Sequence, residues 1–359
     1  MGKNYWDTKF GPVYANEQAL NELDSFLGGY KNRGSKVFFL VDENTHENCL
    51  VRLVPELPSL GEYEVLEVPP GEESKSIEIV YHLWSSLLEL EADRHSVLIN
   101  VGGGMITDLG GFVASTYKRG IDFANVPTSL LAMVDAAIGG KTGIDVGGAK
   151  NVVGTFSSSK GLFLIPDFLE TLPERETISG FAEMVKHALI SENAWETISG
   201  MSPLELWNRP DEVRASMQMK IDTVESDPLE SGPRKYLNFG HTFGHAIESH
   251  FLSTQPESPL LHGEAIAIGM WLEVELSVSA AGLDRSMASK IQEFLVNTFP
   301  KPELPESSWN DLLQWLLHDK KNKGGIPQFV LLQNLGKPTL DHELSSDQLK
   351  MALRAWNTP

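Results

Sequence analysis

The chain has 359 residues and one cysteine, Cys49, so no disulfide can close within it. That scarcity fits a reducing compartment. No stretch approaches the roughly 20 apolar residues that span a bilayer. The opening MGKNYWDTKF lacks the basic-then-apolar layout of a secretion signal, and Trp6 stands where a myristoylation motif needs Ser or Thr. These lacks lead to the expectation of a cytoplasmic protein. Positive charge is also scarce: 29 Lys and Arg against 49 Asp and Glu leave a net charge of −20. A field of that sign repels nucleic acid and anionic lipid, so neither is expected as a partner. It leaves open a small anionic substrate held by a local cluster of Lys and Arg.

What is present is the balance of a globular protein, 41% hydrophobic and 22% charged, at a length suggesting about two domains. The first half alternates. Lys36–Val41, Tyr63–Val68, Ser96–Val101 and Gly161–Pro166 read as strands, and Ser76–Leu90 carries Ile77, Val80, Leu83, Leu87 and Leu90 at helical spacing. Continuous apolar runs alternating with helices predict an α/β domain with a parallel sheet. Beyond Leu172 helical patterns dominate: Ile178–Ile190, Pro203–Val224, His241–His250, Glu264–Ala281, Ser286–Phe299 and Ser308–His318. The expected division is therefore 1–172, α/β, and 173–359, mostly α-helical.

Several segments carry chemistry. Gly102-Gly103-Gly104 follows a strand and opens a helix, a place where backbone amides meet phosphate. Thr107 stands where the dinucleotide fingerprint has its last glycine, so a ligand-free tight turn reads the same way. Asp42, ending the first strand, suits a ribose hydroxyl or a helix cap. Gly139-Gly140-Lys141 and Gly147-Gly148-Ala149-Lys150-Asn151 read as two basic, glycine-rich loops, suited to phosphate or carboxylate, or simply solvated. His241 and His245 share a helix face at i and i+4, His262 opens the next helix, and Glu183 lies near Lys186 and His187. Imidazoles and a carboxylate suit a divalent cation with an open position, and spacing alone favours His245 as a ligand. An ordinary Glu183–Lys186 ion pair is the plainer alternative. Lys220, Arg234, Lys235, Asn238 and Asp319-Lys320-Lys321-Asn322 supply basic spots for an anion, or solvated helix faces.

Taken together, GGGMITDLGGFVASTYKRG, VPTSLLAMVDAAIGGKTGID, AKNVVGTF, SGFAEMVKHALI, DPLESGPRKYLNFGHTFGHAIES, LLHGEAIAIGM and DKKN, in this order, resemble the 3-dehydroquinate synthase family from about Asp42 to Asn322. The resemblance implies a nucleotide-binding α/β domain and a mostly helical metal- and substrate-binding domain. It implies conversion of 3-deoxy-D-arabino-heptulosonate 7-phosphate, a phosphorylated keto acid, to 3-dehydroquinate and phosphate in the shikimate pathway. NAD and Zn2+ or Co2+ are the implied cofactors. By motif the metal ligands are Glu183, His241 and His262, which moves His245 to the substrate. NAD contacts fall on Asp42, Asn44, Glu72, Lys75, Gly103, Gly104, Asp108, Thr128, Ser129, Lys141, Lys150 and Thr171. Substrate contacts fall on Asp135, Lys141, Asn151, Lys186, Lys220, Arg234, Asn238, His245 and one of Lys320 and Lys321. Arg119 matches an arginine that reaches a neighbouring subunit's site, implying a homodimer. Sister sugar-phosphate cyclases acting on glucose 6-phosphate or sedoheptulose 7-phosphate, and a metal-dependent polyol dehydrogenase, are the alternatives.

Overall fold

The computed structural model describes residues 4–147, 149–317 and 326–358. These form two compact units, Met1–Pro173 with Glu205–Glu225, and Glu174–Leu204 with Ser226–Pro359.

The first unit runs β1 (Tyr5–Trp6), β2 (Val13–Ala15), α1 (Glu17–Asn32), β3 (Val37–Asp42), the short turns α2 (Glu43–Thr45) and α3 (Val51–Leu53), β4 (Tyr63–Val68), α4 (Ile77–Glu89), β5 (Val97–Gly102), α5 (Gly104–Thr116), β6 (Asp122–Pro127), β7 (Lys141–Val146), β8 (Ala149–Phe156) and β9 (Leu162–Leu164). Seven strands make one sheet in the order β1-β2-β9-β6-β5-β3-β4, and only the β1–β2 pair is antiparallel. Every residue of β3 and β5 is buried, as the continuous apolar runs predict for strands covered on both faces. Phe38, Leu40, Leu98 and Phe123 pack against Val80, Leu83 and Leu87 of α4 and Ile106, Leu109 and Val113 of α5. Ser76 caps α4 by accepting from the Ile79 amide, which leaves Ile77 in the first turn on the solvent side, outside the expected apolar face.

From β3 the chain passes outward to β4 and returns to β5 on the other side of β3. That reversal makes the carboxyl ends of β3 and β5 a topological switch point, where open α/β sheets leave a crevice for a ligand. Lys141 of one expected glycine-rich loop and Ala149, Lys150 and Asn151 of the other stand on paired strands instead: β7 and β8 are antiparallel, with Gly143 opposite Gly154 and Thr142 opposite Thr155. Glycine there reflects close pairing, since a Cβ on Gly154 would lie 2.1 Å from the Thr142 carbonyl oxygen.

Beyond Pro173 come α6 (Glu174–Ile190) and α7 (Trp195–Ser199) of the second unit, then α8 (Pro210–Ser226), then α9 (His241–Thr254), α10 (His262–Ala280), α11 (Arg285–Thr298), α12 (Trp309–Leu317), the hairpin β10 (Phe329–Asn334) and β11 (Lys337–His342), and α13 (Ser346–Trp356). The sequence reading assigned all of 173–359 to one domain, but residues 205–225 belong with the first unit. Polar contacts explain why. Arg214 donates to Asn4 at 3.3 Å, the Lys9 amide to Glu225 at 2.8 Å, Trp6 to Gln218, and Lys220 to Asp135 at 2.5 Å. The β10–β11 hairpin is an antiparallel pair within the mostly helical second unit. In the second unit α10 is buried nearly all round, and α6, α9, α11, α13 and β10 pack against it. Among the described residues no helix is long and apolar enough to cross a membrane.

Candidate active site

The second unit gathers three metal-type donors from three helices. Glu183 lies midway along α6, His241 opens α9 and His262 opens α10. Glu183 Oε1 is 3.6 Å from His241 Nε2 and 3.7 Å from His262 Nε2, and one donor atom from each residue lies within 4.8 Å of the others. Donors held about 2.1 Å from a tetrahedral ion stand about 3.4 Å apart, so this spacing is that of a cation site. Each imidazole is also held from its far side. The Phe239 carbonyl is 3.1 Å from His241 Nδ1, and Glu248 Oε2 is 3.4 Å from His262 Nδ1. A carbonyl or carboxylate at Nδ1 fixes the tautomer that leaves Nε2 as a lone-pair donor, as metal-binding histidines require. Two imidazoles and one carboxylate form the donor set of catalytic zinc sites that keep an open position. The residues fit such an ion.

Glu183 serves two neighbours with different oxygens. Oε2 pairs with Lys186 and Oε1 faces the histidines, so the ion pair and the metal cluster coexist. Burial lowers the basicity of His262, but Glu248 and Glu183 outweigh it and raise the ring to about 9. Two carboxylates around one imidazole call for positive charge, a proton or a divalent cation. His245 stays outside this triad, its ring centroid 5.3 Å from that of His241 and 6.0 Å from that of His262.

Close backbone packing brings the helices to this spacing. A Cβ on Gly263 would lie 1.8 Å from the Ser179 carbonyl oxygen, so only glycine lets the first turn of α10 settle on α6. The Gly263 amide bonds to the Ser179 hydroxyl at 3.0 Å, and Arg175 grips Glu264 through two bonds of 2.7 Å. Gly240, at φ +79, turns the chain into α9, and its amide donates to buried Glu273 at 2.6 Å.

Just before α9 in the chain, Arg234 and Asn238 sit on the 3-10 turn Pro233–Asn238. Arg234 is 2% exposed and donates from Nη1 to the Pro228 carbonyl at 2.6 Å; Asn238 Nδ2 donates to Glu230 at 2.9 Å. Lys320 and Lys321 lie outside the described residues.

In the first unit, the residues read as nucleotide contacts collect at the carboxyl ends of the parallel strands. Asp42 ends β3 and Asn44 follows it; Glu72 and Lys75 follow β4; Gly103 and Gly104 follow β5; Thr128 and Ser129 follow β6; Thr171 follows β9. Asp42 does cap a turn, its Oδ1 accepting from the Thr45 amide at 2.8 Å, so the cap reading of this residue holds. The first turn of α5 has no side-chain cap, and its amides face the switch point. Lys75, 3% exposed, is a hub: its ammonium lies 2.9 Å from Asp108, 3.2 Å from Glu72 and 2.5 Å from Asn151 Oδ1. Burial pushes Asp108 up against the pull of Lys75. Lys150 stands 4.0 Å from Glu72, and the Asn151 amide bonds to Asp145 at 2.6 Å. The hub therefore joins residues of the expected NAD set to Asn151 of the expected substrate set. Asp135, on the π-helical turn Ala132–Ala136, pairs with Lys220 at 2.5 Å, and Lys141 opens β7 with its side chain exposed. Arg119 is exposed on a turn where Lys118, Arg119 and Gly120 all have positive φ, 49, 68 and 111.

Sequence reasoning missed three residues of this constellation. Glu248 was findable, since it extends the His241–His245 face by i+3. Glu230, which receives Asn238, and Asp227, whose Oδ2 accepts the Arg234 amide at 3.2 Å, precede Arg234 in a stretch with no regular period.

Family models match in two adjoining pieces, 3-dehydroquinate synthase N-terminal over residues 65–179 and 3-dehydroquinate synthase C-terminal over residues 180–322. The chain belongs to the 3-dehydroquinate synthase family. A family member from Parabacteroides distasonis is 40% identical over 93% of this chain and 94% of its own length. One from Listeria innocua is 37% identical over 97% and 96%. Both are 3-dehydroquinate synthases. Among solved structures, a 2-deoxy-scyllo-inosose synthase complexed with carbaglucose-6-phosphate, NAD+ and Co2+ superposes with a TM-score of 0.82 at 23% identity, covering 98% of this chain and 99% of that one. A 2-epi-5-epi-valiolone synthase from Streptomyces hygroscopicus with NAD+ and Zn2+ gives 0.80 at 22%, covering 99% of each. An iron-containing alcohol dehydrogenase from Thermotoga maritima gives 0.66 at 14%, covering 99% of each. At these identities the structures speak for the fold, which is that of the family.

Proposed function

We propose that this protein converts 3-deoxy-D-arabino-heptulosonate 7-phosphate to 3-dehydroquinate and phosphate, using NAD and a divalent metal. The observation that carries the reading is the near full-length match, at 37–40% identity, to curated 3-dehydroquinate synthases. The solved cyclases that share the fold contain NAD+ with Co2+ or Zn2+, and the donors here suit the same ions.

Glu183, His241 and His262 would hold the metal, with Glu248 and the Phe239 carbonyl keeping each imidazole oriented. The uncapped amides at Gly103 and Gly104 and the hydroxyls of Thr128 and Ser129 suit the NAD pyrophosphate; Asp42 and Asn44 suit its ribose, with Glu72, Lys75, Asp108, Lys141, Lys150 and Thr171 completing the set. Bound there, NAD would supply reversible hydride acceptance and the metal would supply Lewis acidity toward substrate oxygens. The remaining work falls to the protein's own side chains. Arg234, with five donors in a rigid fork, suits the substrate carboxylate. Lys186, Lys220, Lys141, Asn151 and His245 supply donors for the phosphate and hydroxyls, and the Asp135 carboxylate orients Lys220 through their 2.5 Å contact. Lys186, 1% exposed, is held in place by its contact with Glu183. A cytoplasmic homodimer, in which Arg119 completes the site of the partner subunit, belongs to the same reading.

The test is a substrate panel. Phosphate release is measured from 3-deoxy-D-arabino-heptulosonate 7-phosphate, sedoheptulose 7-phosphate and glucose 6-phosphate, with NAD and zinc present. Release from the first alone, yielding 3-dehydroquinate, is expected. Release from either other sugar instead would make this chain a sister cyclase and remove the role given to Arg234.

A further inference from the structure

The hydrogen bonds of the loop between α8 and the Arg234 turn converge on one side chain. Asp227 is 6% exposed. Its Oδ1 accepts from the Ser231 amide at 3.0 Å and the Ser231 hydroxyl at 3.0 Å. Its Oδ2 accepts from the Gly232 amide at 2.6 Å and the Arg234 amide at 3.2 Å. The Glu230 amide closes the turn on the Asp227 carbonyl at 3.3 Å. An ordinary Asx turn uses one such bond; four donors on one carboxylate make a backbone nest filled from within. Burial pushes this carboxyl up, but the amides of Gly232, Ser231 and Arg234 and the Ser231 hydroxyl bring it down to about 2.

The held loop presents two functional side chains. Glu230 sits at φ +59, a left-handed conformation costly for a residue with a Cβ, and its carboxylate receives Asn238 Nδ2 at 2.9 Å. Arg234 follows directly, its backbone amide on Asp227 and its guanidinium on the Pro228 carbonyl at 2.6 Å. Asp227 itself bonds to backbone amides and one hydroxyl of its own loop.

We propose that Asp227 is a positioning residue for substrate-anion recognition: its carboxylate sets the 228–234 loop in the shape that aims Arg234, and with it Glu230 and Asn238. The claim rests on the substrate role given to Arg234 above. Asp227→Asn keeps the size but turns an acceptor toward amide donors into a donor, so at least one amide loses its partner.

The experiment has two arms. In the kinetic arm, D227N raises KM for 3-deoxy-D-arabino-heptulosonate 7-phosphate about 10- to 100-fold, with kcat within about threefold and zinc content unchanged. Ser231→Ala, which removes one of the four donors, gives a smaller rise in the same parameter. In an Arg234→Ala background D227N adds nothing further to KM, because the aspartate acts through the arginine. Multiplying effects in the double variant, or an unchanged KM in D227N, overturns the proposal. The second arm needs no turnover: hydrogen exchange over residues 228–238 is expected to quicken in D227N while α10 stays protected. Unchanged exchange in that segment overturns the proposal. If the wild-type protein leaves the sugar phosphate intact, the functional reading fails by itself, and the exchange arm still decides whether Asp227 sets the loop.

Discussion

Gly263→Ala tests the claim that close helix packing builds the metal site. The added Cβ would fall 1.8 Å from the Ser179 carbonyl oxygen, where real contacts keep at least 3.0 Å, so the first turn of α10 must retreat from α6 by about 1.2 Å. His262 stands on that turn and Glu183 on α6, their donor atoms 3.7 Å apart. Two ligand atoms each about 2.1 Å from one ion can be no more than about 4.2 Å apart. A retreat of that size takes the pair to nearly 5 Å, beyond the reach of a shared ion. The fold itself should survive, since overpacking of this kind costs about 1–3 kcal/mol. Zinc affinity, measured by competition with a coloured chelator, is expected to fall by more than about 100-fold, with the far-ultraviolet circular dichroism of the wild type retained. A variant that binds zinc within a few-fold of wild type would refute the packing argument.

Three further outcomes follow from the same geometry. Glu248→Gln, which weakens the acceptor at His262 Nδ1, is expected to cost about 10- to 100-fold in zinc affinity, whereas His245→Ala leaves zinc affinity unchanged and impairs turnover; equal zinc losses in both would put His245 among the ligands. Lys75→Met leaves Asp108 and Glu72 facing each other without their buried ammonium and is expected to destabilise the first unit by about 3 kcal/mol or more, read as a lower urea midpoint with weaker NAD binding; an unchanged midpoint contradicts the hub. Asp227 has a folded-state carboxyl at about 2, below its ordinary 3.8, so its contribution is full above about pH 4 and is lost as pH falls toward 2. D227N should remove that acid-sensitive component from the pH dependence of urea unfolding; identical acid limbs would count against the nest.

The parts of the fold legible in the sequence were those with an unambiguous period. The strands at Val37–Asp42 and Val97–Gly102 are continuous apolar runs, and the predicted 76–90 helix was observed as Ile77–Glu89 with Ser76 as its cap. Glycine obscured the β7–β8 hairpin, because Gly139, Gly140, Gly143, Gly147 and Gly154 have the composition of a loop whether or not the strands pair. The allegiance of α8 was hidden because its helical pattern shows a buried face but not which unit covers it; Lys220, Arg214 and Gln218 decide that through contacts more than 80 residues away. Spacing alone favoured His245 as a partner of His241, and the family resemblance pointed instead to His262. No helical period could have supplied that, since the triad is assembled from three helices. Asp227 had a local signal, an Asp followed by Ser-Gly at the fourth and fifth positions. Its four hydrogen bonds become visible only with the loop folded.

The central claim is a redox-neutral, metal-dependent cyclisation, and one measurement addresses it directly. Phosphate release from 3-deoxy-D-arabino-heptulosonate 7-phosphate is followed together with NADH absorbance, with and without a chelator, at substoichiometric NAD. Many phosphates released per NAD, no accumulating NADH and loss of release on chelation are expected. NADH formed once per turnover, or release indifferent to the chelator, would contradict the account.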